Sequence, residues 1–183
     1  MIARALVLAI GLHVAVGMGV ADARSPSEIA DEFQAALSRG DFAATAALFA
    51  PDAVVLNSRG KRYEGHDAVS GFLRGTIAAG VSVAPIATHD VEGGAAWTNV
   101  ERSGVYDRLG VAVHLRHKAA IRDDRIVLFA TWFEPESLDA LQAACAKPEN
   151  AAVTIFNQPC EQFVAQARAF SQVAGREYGE SAR

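Results

Sequence analysis

Arg102, Tyr106, His117 and Thr131 are the residues whose types and spacing suit chemistry, and all four fall within residues 97–134. An imidazole with an ordinary pKa near 6.5 titrates close to neutral pH, so His117 is the candidate base, with Tyr106 or Thr131 as its hydrogen-bond partner. Side chains alternate along a strand, which puts Arg102 on one face with Thr98, Val100, Gly104 and Tyr106, and puts Glu101 and Ser103 on the other. A guanidinium beside an aromatic and an apolar residue is what a pocket wall needs. Both key residues also have plain structural readings. His117 follows His114 by three and suits a surface or rim position; Arg102 either binds a carboxylate or other anion in a cavity or pairs with a structural acid.

These residues must be positioned by three strands, WTNVERSGVYD, VAVHLRHKAAI and RIVLFATWFE, separated by Arg108-Leu109-Gly110 and Arg122-Asp123-Asp124. That pattern reads as a curved antiparallel meander. Ahead of it, Ser25-Pro26-Ser27-Glu28 forms a capping box with proline at the first helical position. Ile29, Phe33, Ala36 and Leu37 follow at helical spacing, and Gly40 ends the run. Asp41 caps a second helix that stops before Pro51. A short strand, residues 53–57, turns at Ser58-Arg59-Gly60-Lys61. His66-Asp67 opens a third helix with Val69, Phe72, Leu73 and Ile77 on one face. Gly93-Gly94 is a hairpin turn, with no helix after it to make a phosphate loop. Residues 163–173 form another amphipathic helix.

Three helices before a meander resemble the nuclear transport factor 2-like (SnoaL-like) superfamily over residues 26–145. Glu101-Arg102 and Thr131-Trp132-Phe133-Glu134 sit like the E-R and D-Y-F-D elements of its limonene-epoxide-hydrolase branch. The resemblance implies an α+β fold: a cone-shaped, curved antiparallel sheet packed against three N-terminal helices, a cystatin-like α+β barrel, here with a helical C-terminal extension. It also implies a cavity between helices and sheet, lined by Asn57, Arg102, Tyr106, Val113, Leu115, His117, Thr131 and Phe133. A one-residue slip of register swaps these for their neighbours. Gly104 and Thr131 stand where the branch has its two catalytic aspartates, and Val55 replaces its tyrosine, so the carboxylate pair needed for its epoxide chemistry is missing. The steroid-isomerase-like branch resembles the segment 48–60, but Asn57 stands at its aspartate base and Phe33 at its helix-one tyrosine. Asparagine accepts no proton at useful pH.

Residues 1–23 read as a cleaved signal peptide: Arg4, an apolar stretch over 5–20, and Ala21-Asp22-Ala23 as the cleavage site. The rival reading is an uncleaved N-terminal anchor, for which the stretch is short and contains His13 and three glycines. The expected organisation is therefore signal peptide 1–23, SnoaL-like domain 24–147 and helical extension 148–183. Cys145 and Cys160 suit a disulfide in an oxidising compartment, periplasmic or secreted; the rival readings are two buried thiols or a metal pair. No metal or other cofactor is expected, since the spacing is far from C-x-x-C and no histidine lies nearby. A net charge of −4 without a basic run argues against a nucleic-acid partner. The superfamily often pairs two sheets back to back, which suggests a homodimer through the sheet face. Two functions follow: an exported protein that binds a small, mainly apolar molecule in its cone, or an isomerase, cyclase, dehydratase or hydrolase using His117 as base.

Overall fold

The computed structural model describes residues 24–179, so the expected signal peptide lies outside the described residues. Helix α1 (Pro26–Ser38) starts at the capping box read from the sequence: Glu28 N–H donates to Ser25 Oγ at 3.2 Å, and Ser25 N–H donates to Glu28 Oε2 at 2.7 Å. Its apolar face buries Ile29, Phe33 and Leu37. Helix α2 (Phe42–Ala47) is capped by Asp41. Strand β1 (Phe49–Leu56) is longer than expected; its register against β6 shifts between Phe49 and Val54, around Pro51, which has no N–H for the ladder. Strand β2 (Arg62–Glu64) turns back on β1, and α3 (Gly65–Ala78) follows.

Strands β3 (Ser82–Val91), β4 (Gly94–Arg102), β5 (Val113–Arg122) and β6 (Arg125–Phe133) complete a six-stranded sheet in the order β2-β1-β6-β5-β4-β3. All pairs are antiparallel except β1 with β6. The β5–β6 turn falls where Asp123 and Asp124 take left-handed backbone angles, φ 51° and 57°. The sheet with its helices is the α+β architecture expected from the sequence.

The meander departs from expectation at one place. The strand read as residues 97–107 stops at Arg102, and Gly104–Leu109 forms a helix, α4. Ser103 caps it by accepting from Tyr106 N–H, and Gly110, at φ 67°, closes it. Capping chemistry here outweighs the apolar alternation that made the segment look like strand.

Helix α5 (Pro135–Cys145) leads into a tight hairpin of β7 (Thr154–Ile155) and β8 (Gln158–Pro159), then α6 (Cys160–Glu177). The Cys145–Cys160 disulfide is formed, with the Cα atoms 5.6 Å apart. Phe33, Phe49, Trp97 and Phe129 pack edge and face in the core beneath α1, with the Phe33 and Phe129 rings 5.2 Å apart. A second cluster joins Tyr106, Leu115 and Phe133 to Leu141 and Phe163 of the C-terminal helices. The far half of α6 lies against Ala130 and Trp132, on the opposite face of β6, so it covers part of that sheet face.

Candidate functional site

Between α3, the sheet and the C-terminal hairpin lies a cavity of about 730 Å³, the size of a small-molecule site. Helix α3 borders it with Ala68, Gly71, Phe72, Gly75 and Thr76. These recur at helical spacing, and the two glycines keep that wall low. The sheet supplies Leu115 and Thr131 as floor, and the β1–β2 turn supplies Asn57 and Arg59. The tip of the β7–β8 hairpin supplies Phe156 and Asn157.

The acidic group of this lining is Glu101. It pairs with Val113 across β4 and β5 and shares a face with Trp97 and Asn99. Partial burial pushes its carboxyl from 4.5 up to about 7, while part of the side chain stays open to the cavity. A carboxyl poised there both accepts and releases protons at neutral pH. Tyr106 stands nearby, buried on α4, and its hydroxyl has no hydrogen-bond partner among the described residues. Desolvation first, and then the Glu101 charge, hold its pKa well above 10, so it remains a neutral donor; Arg59 opposes this only in part.

Of the residues expected to line the cavity, Asn57, Leu115 and Thr131 do so. Asn57 is largely committed to its own turn, its Oδ1 accepting from the backbone N–H of Arg59 and of Lys61, each at 3.0 Å. Val113 and Phe133 are buried in the second cluster with Tyr106. Arg102 does not face the cavity: it is exposed and pairs with Ser82 at the end of β4. Its sequence neighbour Glu101 takes the inward place, the one-residue slip that alternation permits.

His117 is also elsewhere than a base would be. It lies 6% exposed beside the rings of Trp97 and Phe129, near-parallel to both with centres 5.1 and 5.6 Å away, and neither ring nitrogen has a partner among the described residues. Burial lowers its pKa to about 3, so at neutral pH it is uncharged and a very weak base. Thr131 lies opposite it on β6, with an equally unpartnered hydroxyl among the described residues.

Sequence reasoning missed Glu101, Arg59 and the hairpin. Trp97 held the usable signal for the first: an aromatic that belongs in the core fixes the inward parity of β4 as 97, 99, 101.

Residues 30–129 match the family model described as SnoaL-like domain. The chain belongs to the SnoaL-like domain family. Solved structures agree on the fold. A nuclear transport factor 2-like protein of unknown function from Cytophaga hutchinsonii superposes with a TM-score of 0.52 at 11% identity, over 64% of this chain and 98% of that one. A Sinorhizobium meliloti protein described as a polyketide cyclase gives 0.50 at 26% identity, over 57% and 93%. A hypothetical protein with a ketosteroid isomerase-like fold from Catenulispora acidiphila, in complex with trimethylamine, gives 0.51 at 20%, over 62% and 90%. Among curated proteins nothing matches. The matched segment of this SnoaL-like chain ends before Cys145, so the hairpin and α6 lie outside it.

Proposed function

We propose that the cavity binds a small, mainly apolar molecule and that Glu101 transfers a proton to or from it, as in isomerisation or cyclisation next to a carbonyl group. The observation that carries this is a carboxyl held near pKa 7 on the wall of a cavity. The likeness to a protein described as a polyketide cyclase, at 26% identity, supports the same class of chemistry. His117 is not given this role, since its protonated form is too costly in its stack. Within the family we set the chain apart from the epoxide-hydrolase mechanism, because Gly104 and Thr131 stand at that branch's two acids.

The test is exchange of the α-hydrogens of 2-tetralone in deuterated water, followed by proton NMR. The protein should accelerate exchange with a rate that rises through pH about 7, and Glu101→Gln should lower it roughly 100-fold with the fold intact. Equal rates for the two proteins would end the proposal.

Export is part of the same reading. The leader-like residues 1–23 and a disulfide, which persists in oxidising compartments, support it. Fractionation with intact-mass measurement should find a mature chain starting near Arg24 outside the cytosol; a full-length cytosolic chain would refute it.

A further inference from the structure

Arg59 is a cation without a counter-charge among the described residues. No carboxylate of those residues lies within ion-pair distance of it; its Nη1 donates to the neutral Gln158 Oε1 at 2.7 Å, and its guanidinium lies 6.0 and 5.6 Å from the ring centres of Phe156 and Phe163. Its Nε and Nη2 make no hydrogen bond within the described residues, and the residue lines the cavity. Glu101 lines the same cavity but makes no ion pair with it. A guanidinium fixed by aromatic rings and one neutral bond, with its Nε–Nη2 edge unused, matches a planar carboxylate in a bidentate pair.

The groups that fix Arg59 all come from after the segment that matches the family. Gln158 and Phe156 belong to the hairpin and Phe163 to α6, and the disulfide closes the loop that carries the hairpin. The hairpin turn places Phe156 at φ 46° and Asn157 at φ 64°, a conformation that asparagine tolerates and a bulky aromatic rarely adopts. The surrounding contacts hold Phe156 there: its ring meets Phe163 at 6.1 Å and forms part of the cavity wall.

We propose that Arg59, held by this disulfide-closed segment, is the anion-binding residue of the cavity, so that the ligand is a small monocarboxylic acid with an apolar body. This deepens the reading above, which left the polar end of the ligand unspecified, and rests on the same cavity. One guanidinium supplies one charge, which suits a carboxylate better than a phosphate ester.

Calorimetric titration at pH 6 with 2-naphthoate and its neutral analogue 2-naphthamide tests it on the intact, oxidised protein. The acid should bind at least tenfold more tightly than the amide. Arg59→Gln should bring that ratio to near one while leaving amide affinity in place, which also shows that the cavity is still folded; Arg122→Gln, a distant charge-matched change, should keep the ratio. Arg59→Lys, which keeps the charge but loses the fork, should fall between. A ratio near one in the unaltered protein, an undiminished ratio in Arg59→Gln, or no binding of either probe at millimolar concentration would each overturn the assignment. The tetralone experiment separates the two readings: Glu101-dependent exchange without acid preference leaves proton transfer standing and removes Arg59, and the reverse outcome does the opposite.

Discussion

Arg59 and Gln158 are 99 residues apart in sequence, and their side chains meet at 2.7 Å. That bond ties the β1–β2 turn to the C-terminal hairpin, and residues of both, Arg59 from the turn and Phe156 and Asn157 from the hairpin, line the cavity. The C-terminal segment is therefore part of the site as well as of the fold. The SnoaL-like core supplies Glu101 and the floor; the extension supplies Phe156 and the setting of Arg59.

Opening the disulfide should loosen this junction. A bridge spanning 15 residues stabilises by about 3 kcal/mol in the chain-entropy view, and for a chain of this size that corresponds to a fall in Tm of roughly 5–12 °C. Calorimetry on Cys145→Ser/Cys160→Ser checks the value. An unchanged Tm would mean that the packing of α5 on α6 alone holds the segment.

Two glycines near the cavity should respond in opposite directions to alanine. Gly60 sits at φ 77°, and a Cβ there would come within 2.7 Å of the Phe170 ring, so Gly60→Ala should cost about 1–3 kcal/mol. Gly71 is inside α3, where an added Cβ would meet nothing within 4 Å, and Gly71→Ala should gain about 0.5–1 kcal/mol. The added methyl projects into the cavity, so the same change should weaken binding of naphthoate. Urea melts of both variants decide the matter; a destabilised Gly71→Ala protein would contradict the helix argument.

Local signals were legible in the sequence because their physics is local. Ser25 with Glu28, and Asp41, satisfy backbone groups three residues away, Asp123 and Asp124 take the left-handed angles a tight turn needs, and the structure has all of them in place. The Cys145–Cys160 bridge followed from count and spacing. The end of β4 was misread because the apolar and polar residues after Arg102 continue to alternate, while the deciding feature, Ser103 capping the next turn, is a single side chain. The same strand decided the site: with Trp97 in the core, Glu101 turns inward and Arg102 outward. Arg59 had no local mark at all, since the residues that fix it lie about a hundred positions downstream.

Glu101 and His117 should give the folded chain opposing pH responses. Glu101 keeps its proton in the folded state up to about pH 7 but loses it near 4.5 in the unfolded chain. Its contribution is therefore fully present below pH 4.5 and is lost as pH rises to 7, with a slope of at most about 1.4 kcal/mol per pH unit. His117 behaves in reverse: the unfolded imidazole takes a proton near 6.5 and the folded one only near 3, so its contribution is present above 6.5 and is lost as pH falls to 3. Between pH 4.5 and 6.5 the two slopes largely cancel. Glu101→Gln should leave the histidine slope alone, giving stability that climbs from pH 3 to 6.5 and then holds. His117→Phe, which keeps a flat ring beside Trp97 and Phe129, should leave the glutamate slope alone, giving stability that declines from pH 4.5 to 7. Urea unfolding at half-unit steps from pH 3 to 8 reads all three profiles. If Glu101→Gln reproduces the parent curve, the carboxyl titrates at its ordinary value, and Glu101 loses the property that makes it the proton-transfer group.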